Sequence, residues 1–136
     1  MKLAGLFRRK NVAKDNAQVV NPDDIPEPDD FNGYVRRGYA YHSKDEQEKA
    51  EADFKKALEL KPDSIDATYT LGLVYKAQGR KEEAVEAFER AKQLIEAVKD
   101  GDTNRMEMLR RLATGHINEL TKGDWDLEET VWRRKR

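Results

Sequence analysis

Between residues 31 and 98 the apolar and small positions follow an order that the chain uses twice. Laying 31–64 over 65–98 at an offset of 34 aligns seven identities: Gly38/Gly72, Tyr41/Tyr75, Glu48/Glu82, Ala50/Ala84, Phe54/Phe88, Ala57/Ala91 and Leu60/Leu94. In each copy a glycine is followed by tyrosine three residues on, alanine nine later, phenylalanine four later and alanine three later. The pattern predicts two amphipathic helices per copy, each with a narrow apolar stripe and a broad solvated face. Glycine inside a helix costs about 1 kcal/mol relative to alanine, so Gly38 and Gly72 point to the close approach of a neighbouring helix. Ala50, Ala57, Ala84 and Ala91 offer similarly thin surfaces on the second helix of each pair. Tyr41, Phe54, Tyr75 and Phe88 are the large side chains expected to fill the space between helices, each worth roughly 1.5–3 kcal/mol when fully buried.

The joints are also legible. Lys61-Pro62-Asp63-Ser64 ends one helix and offers Asp63 or Ser64 as the N-cap of the next, with Asp66 in its first turn. Gln78-Gly79-Arg80 supplies a glycine for a left-handed C-cap. The first copy has Lys44-Asp45 there without a glycine, and Asp45 is expected to cap the following helix. Beyond residue 98 the register is lost. Leu109, Leu112, Ala113, His116, Ile117 and Leu120 recur at three and four, predicting a helix from about 103 to 121 that contains Gly115. Setting Gly115 at the repeat glycine puts Leu127 at the first alanine position and Val131 at the phenylalanine position of a further helix, with Asp126 to Glu129 as a capping arrangement. Residues 99–136 are thus either an insertion and a degenerate, truncated third copy or a single capping helix followed by a tail.

A glycine, tyrosine, alanine, phenylalanine and alanine order at period 34, with Tyr34, Leu71 and Pro62 at further matching positions, strongly resembles the tetratricopeptide repeat family. The resemblance implies an all-α solenoid of antiparallel helix hairpins, with two clear repeats, 31–64 and 65–98, and a degenerate third. It further implies a groove lined by the first helix of each pair, at the second, fifth, ninth and twelfth positions of the unit. These are Asn32, Val35, Tyr39 and His42 in the first unit, Asp66, Tyr69, Leu73 and Lys76 in the second, and Leu109, Leu112, His116 and Glu119 in the third alignment. Such a groove is apolar and aromatic, suited to an extended peptide or an amphipathic helix. The basic clamp by which some relatives hold the acidic tails of chaperones has no counterpart in Val35, Tyr39, Thr70, Leu109 and Ala113.

Composition narrows the function classes. Charged residues make up 39% of the 136 residues and hydrophobic ones 38%, with 26 basic against 27 acidic side chains. That is too little apolar surface for a thick central core and suits stacked helices with wet outer faces. With no cysteine and only His42 and His116, no thiol nucleophile, disulfide framework or thiolate metal site exists, and neither a cofactor nor a metal is expected. No phosphate-binding glycine loop or Ser-His-acid set is apparent, so a non-enzymatic interaction adaptor is the expected function. The longest apolar runs are three residues, as in Leu73-Val74-Tyr75, and a cytoplasmic protein is expected.

The near-neutral balance is a sum of unlike parts. Residues 1–20 carry five bases against Asp15, a net of +4, while 21–30 carry five acids and no base, a net of -5, together with three of the four prolines. Residues 1–30 read as a flexible basic tail followed by an acidic linker. Leu3, Leu6 and Phe7 share a helical face beside Lys2 and Arg8-Arg9-Lys10, so the first ten residues are also a candidate peripheral membrane anchor. The repeat units balance 7 against 7 and 5 against 6 charges, which argues against nucleic acid as a partner. Trp125 and Trp132, the two tryptophans, are expected to cap the third helix, or else to insert into a second copy and make a swapped homodimer. End-to-end self-assembly of the repeats is the alternative to an adaptor.

Overall fold

A computed structural model describes residues 21–99 and 101–125. Five α-helices follow a short 3-10 turn at Pro22–Asp24: α1 (Phe31–Ser43), α2 (Gln47–Leu60), α3 (Ile65–Ala77), α4 (Lys81–Ala97) and α5 (Thr103–Lys122). Each helix packs on its successor, giving an all-α solenoid of two hairpins, α1/α2 and α3/α4, with α5 laid against α4. Among the described residues no helix is long and apolar enough to cross a membrane.

Caps fix where the first helices begin. The Asp30 carboxylate accepts from the Gly33 amide at 2.8 Å, the Ser64 hydroxyl from Ala67 at 3.2 Å, and the Asp102 carboxylate from Arg105 at 3.1 Å. Each satisfies one amide that the first turn leaves without a partner, worth about 1 kcal/mol. The second helices are entered through a left-handed residue, Gly79 at φ 74° and Asp45 at φ 61°. Asp45 therefore does not cap α2 as expected. Glu46 takes the N-cap position without a side-chain bond, and the Asp45 carboxylate accepts instead from Gln47 Nε2 at 2.9 Å.

The seams are built by aromatic rings lying on glycines. Phe54 and Phe88 are fully buried, as are Ala50, Ala57, Ala84 and Ala91, and Tyr41 and Tyr75 are buried beside them. A methyl group on Gly38 would stand 3.0–3.2 Å from the Phe54 ring, and one on Gly72 2.7–2.9 Å from Phe88. Gly115 repeats the arrangement with a different partner, since a methyl there would meet the Trp125 ring at 2.6–2.7 Å. Trp125 thus folds back on α5 and covers Gly115. Pro62, expected among the packing residues, is exposed. It closes α2 by lacking an amide to donate and adds nothing to the seam.

The acidic stretch 21–30 is not a free linker. Pro22 is fully buried, and the residues after it are tied to α1 and α2 by side-chain bonds. Asp23 accepts from the Tyr41 hydroxyl at 2.9 Å and from Lys49 Nζ at 3.1 Å; Glu27 accepts from Tyr34 at 3.2 Å and Arg37 at 3.1 Å; Asn21 accepts from Lys44 at 3.3 Å. Pro22, one of the prolines that suggested a linker, opens the 3-10 turn, and the acids Asp23 and Glu27 find bases on the helices. The basic head at 1–10 and the positions Leu127, Val131 and Trp132 lie outside the described residues.

Candidate functional site

The first helices α1, α3 and α5 stand side by side, joined by polar bridges. Tyr39 on α1 shares a 3.0 Å hydrogen bond with Thr70 on α3. Between α3 and α5, the Arg105 guanidinium meets Asp66, Tyr69 meets His116 at 3.1 Å, and Lys76 donates to Glu119 at 2.9 Å. Groove positions are therefore already in contact with one another across helices.

They form two clusters of different character. At the first, Tyr39 is 42% exposed, and its ring meets Phe54 edge-on with centroids 5.3 Å apart. Leu73 lies one turn beyond Thr70 on the same face of α3, half-buried against the core. Val35 is half-buried beneath, Asn32 is exposed at the start of α1, and His42 is bonded to Gln47 through Nδ1 at 2.8 Å. The aromatic and aliphatic members exchange places between units: Val35 and Tyr39 in the first correspond to Tyr69 and Leu73 in the second. A ring from this face reaches the buried phenylalanine in both, since Tyr69 meets Phe88 at 5.5 Å.

The second cluster is closed around His116. Its imidazole stacks on Phe88 at 4.8 Å and 11°, receives the edge of Trp125 at 4.7 Å, and bonds Tyr69 through Nε2 and Lys76 through Nδ1, both at 3.1 Å. Burial first, and then the positive charge of Lys76, lowers the imidazole pKa to about 4, with Glu119 opposing. The ring is neutral near pH 7, accepts from the Lys76 ammonium at Nδ1 and donates its Nε2 proton to the Tyr69 hydroxyl. Lys76 also lies 5.7 Å from the Trp125 ring centre. Tyr69, Lys76 and His116 hold α3 to α5, whereas Tyr39 presents a ring outward.

Leu112 belongs to neither cluster. With the exposed Met108 and Trp125 it lines a cleft of about 440 Å³ on α5. One partner escaped sequence reasoning, whereas Trp125, expected to cap the helix at 103–121, lies on Gly115 of that helix. Thr70 is buried, and its hydroxyl also donates to the Asp66 carbonyl at 2.8 Å, so only its bond to Tyr39 reveals a role between helices. The glycine at 115 inside a helix is the signal that calls for such a bulky neighbour.

With glycine-on-ring seams, paired helices and bridged first helices in view, comparison with known proteins is decisive. A sequence model described as TPR repeat matches residues 38–79, and one described as tetratricopeptide repeat matches 65–97. This is a tetratricopeptide repeat protein. Its fold is similar to the crystal structure of MamA, at a TM-score of 0.53 and 27% identity over 79% of the chain. The chain spans 62% of the length of that MamA chain. Among curated proteins none matches it.

Proposed function

We propose that this tetratricopeptide repeat protein is a non-enzymatic interaction adaptor that holds an extended peptide or an amphipathic helix along the face shared by α1 and α3. Tetratricopeptide repeats form a protein-interaction scaffold, and one observation here carries the finer reading: Tyr39 is exposed, yet fixed at both ends. Its hydroxyl is bonded to Thr70 and its ring edge rests on Phe54. An aromatic side chain already held in place gives up little rotamer freedom on binding, a saving of about 0.5–1.5 kcal/mol, and tyrosine is a frequent interface anchor. Leu73 beside it supplies the aliphatic part of the surface.

The test uses a peptide selected on the parent protein from a displayed random library. Tyr39→Ala is expected to weaken that peptide by about 2 kcal/mol, some thirtyfold, in calorimetry, while Tyr39→Phe costs a few-fold. Unchanged affinity in Tyr39→Ala, with helix content intact by circular dichroism, overturns the assignment. Self-association draws on a different observation, the exposed Met108 and Trp125 beside Leu112 at the α5 end. Sedimentation over a concentration series separates the readings, because a monomer throughout removes self-association.

A further inference from the structure

The layer of first helices carries its charges unevenly. Where α3 and α5 meet, bases are matched by acids: Lys76 donates to Glu119 at 2.9 Å, and the Arg105 guanidinium meets Asp66. Helix α1 has no acid of its own, since Phe31–Ser43 holds Arg36, Arg37 and His42 and neither aspartate nor glutamate. Arg37 points to the opposite face, where Asp53 and Glu27 hold it, and His42 is bonded to Gln47. Arg36 is left. It is exposed, and it forms no ion pair or hydrogen bond among the described residues.

Its place in the unit explains this. At 100° per residue Arg36 shares a face of α1 with Asn32 and Tyr39. At the offset of 34 it corresponds to Thr70, which is buried and bonded at 3.0 Å to Tyr39 on the first helix before it. Among the described residues no first helix precedes α1, so the same edge of α1 stays open. The covering segment, residues 22–27, lies on the other face through Tyr34, Arg37 and Tyr41, and Asp30 at the head of the helix is committed to the Gly33 amide. Arg36 is at none of the five positions where a chaperone-tail clamp would stand. A peptide laid along α1 and α3 thus meets an uncompensated cation one turn from its aromatic anchor.

Resting on the reading of that face as a peptide groove, we infer that the peptide it holds carries an aspartate or glutamate whose carboxylate pairs with Arg36, beside the apolar residue seated on Tyr39. The guanidinium is a planar fork of donors that matches a carboxylate in two parallel bonds. Side chains one turn apart on a helix stand about 5–6 Å apart, close to the separation of alternate residues in an extended chain, roughly 6.6 Å, and of residues three or four apart on a helix. The acid therefore falls two places from the Tyr39 contact in an extended peptide and three or four places in a helical one. An exposed charge pair adds little affinity, so Tyr39 supplies the grip and Arg36 chooses among apolar peptides.

The test uses the full chain and the peptide selected on it from a displayed random library at low salt. That peptide is expected to contain an aspartate or glutamate at the stated spacing from an aromatic or aliphatic residue. In calorimetry Arg36→Gln should weaken it about fivefold at low salt and less than about twofold at high salt, because an exposed pair is screened. Arg36→Glu should weaken it further, and changing the peptide's acid to lysine should restore binding to that variant. Arg36 is exposed, so circular dichroism should report an unchanged fold. A peptide that depends on Tyr39 but binds Arg36→Gln as tightly as the parent overturns this inference and leaves the groove standing, as does a charge exchange that restores nothing. A peptide indifferent to Tyr39→Ala, or a library that yields no binder, overturns the groove and this inference with it.

Discussion

The two tetratricopeptide units are built on the same seam and finished with opposite chemistry at their outer edge. In the first, Arg37 grips Asp53 through two bonds, 2.8 and 2.7 Å, with the aspartate 3% exposed. In the second, the same positions are Leu71 and Ala87, both buried. Inside each unit a phenylalanine lies on a glycine between alanines; the units diverge where they meet what precedes them. The second unit follows α2, whose Glu51 accepts from Gln78 at 3.2 Å and pairs with Arg80. Among the described residues, an acidic segment precedes the first, and Arg37 serves both Asp53 and Glu27. A buried ion pair is a weak source of net stability, so its use here is better explained by what it holds in place.

The largest effect should come from breaking this pair on one side. Asp53→Ala strands the Arg37 guanidinium in a site where it is 13% exposed, leaving Glu27 as its partner. Removing one member of a buried pair costs about 3–5 kcal/mol, and the remaining Glu27 puts the expected loss near the lower end, about 3 kcal/mol in urea unfolding. The double variant Arg37→Leu, Asp53→Ala gives the first unit the residues of the second and should lie within about 1 kcal/mol of the parent, because well-packed apolar replacements of buried pairs are often neutral. A double variant as unstable as the single one would show that the pair, with its link to Glu27, is required to seat the covering segment.

A smaller difference separates the two glycines. A methyl on Gly72 would press within 2.7 Å of Phe88, against 3.0 Å for Gly38 and Phe54. Both substitutions gain about 1 kcal/mol of helix propensity, and overpacking costs about 1–3 kcal/mol. Gly72→Ala should therefore destabilise by about 1–2 kcal/mol while Gly38→Ala stays near the parent. Equal losses would mean that the two seams yield alike and that the closer contact at Gly72 carries no extra cost.

These seams are the part of the fold that the chain states openly. A ring can lie on a helix only where a side chain is missing, so Gly38 with Phe54 and Gly72 with Phe88 must recur at fixed spacing, and period 34 makes them visible. The covering segment was hidden for the opposite reason. Prolines and acids at 21–30 have the composition of a linker, and their partners Arg37, Tyr41, Lys44 and Lys49 are ten or more residues away in a pattern with no period. One trace existed: Pro28-Asp29-Asp30 stands 34 residues before Pro62-Asp63-Ser64, and Asp30 caps α1 as Ser64 caps α3. The candidate site was legible to a similar depth. Position within the unit placed Tyr39, Tyr69 and His116 on one layer of helices. That Tyr39 stays open while Tyr69 and His116 are closed over depends on Trp125, which arrives from outside the repeat register.

The mildest contrast between the units is the turn inside each hairpin, where Asp45 stands for Gly79 in the same left-handed backbone. An aspartate there is strained by up to about 1–2 kcal/mol, less where its side chain bonds locally, as Asp45 does to Gln47. Glycine would release that strain but add freedom to the unfolded chain, an opposing term of about 0.4–1 kcal/mol. Asp45→Gly should therefore stabilise by only about 0.5 kcal/mol, and Gly79→Asp, which introduces the strain without the Gln47 partner because position 81 is lysine, should destabilise by about 1 kcal/mol. Thermal midpoints of the two variants measured against the parent decide the matter. If Asp45→Gly melts below the parent, the bond to Gln47 outweighs the backbone strain, and the first unit's turn is an alternative solution to the glycine turn of the second.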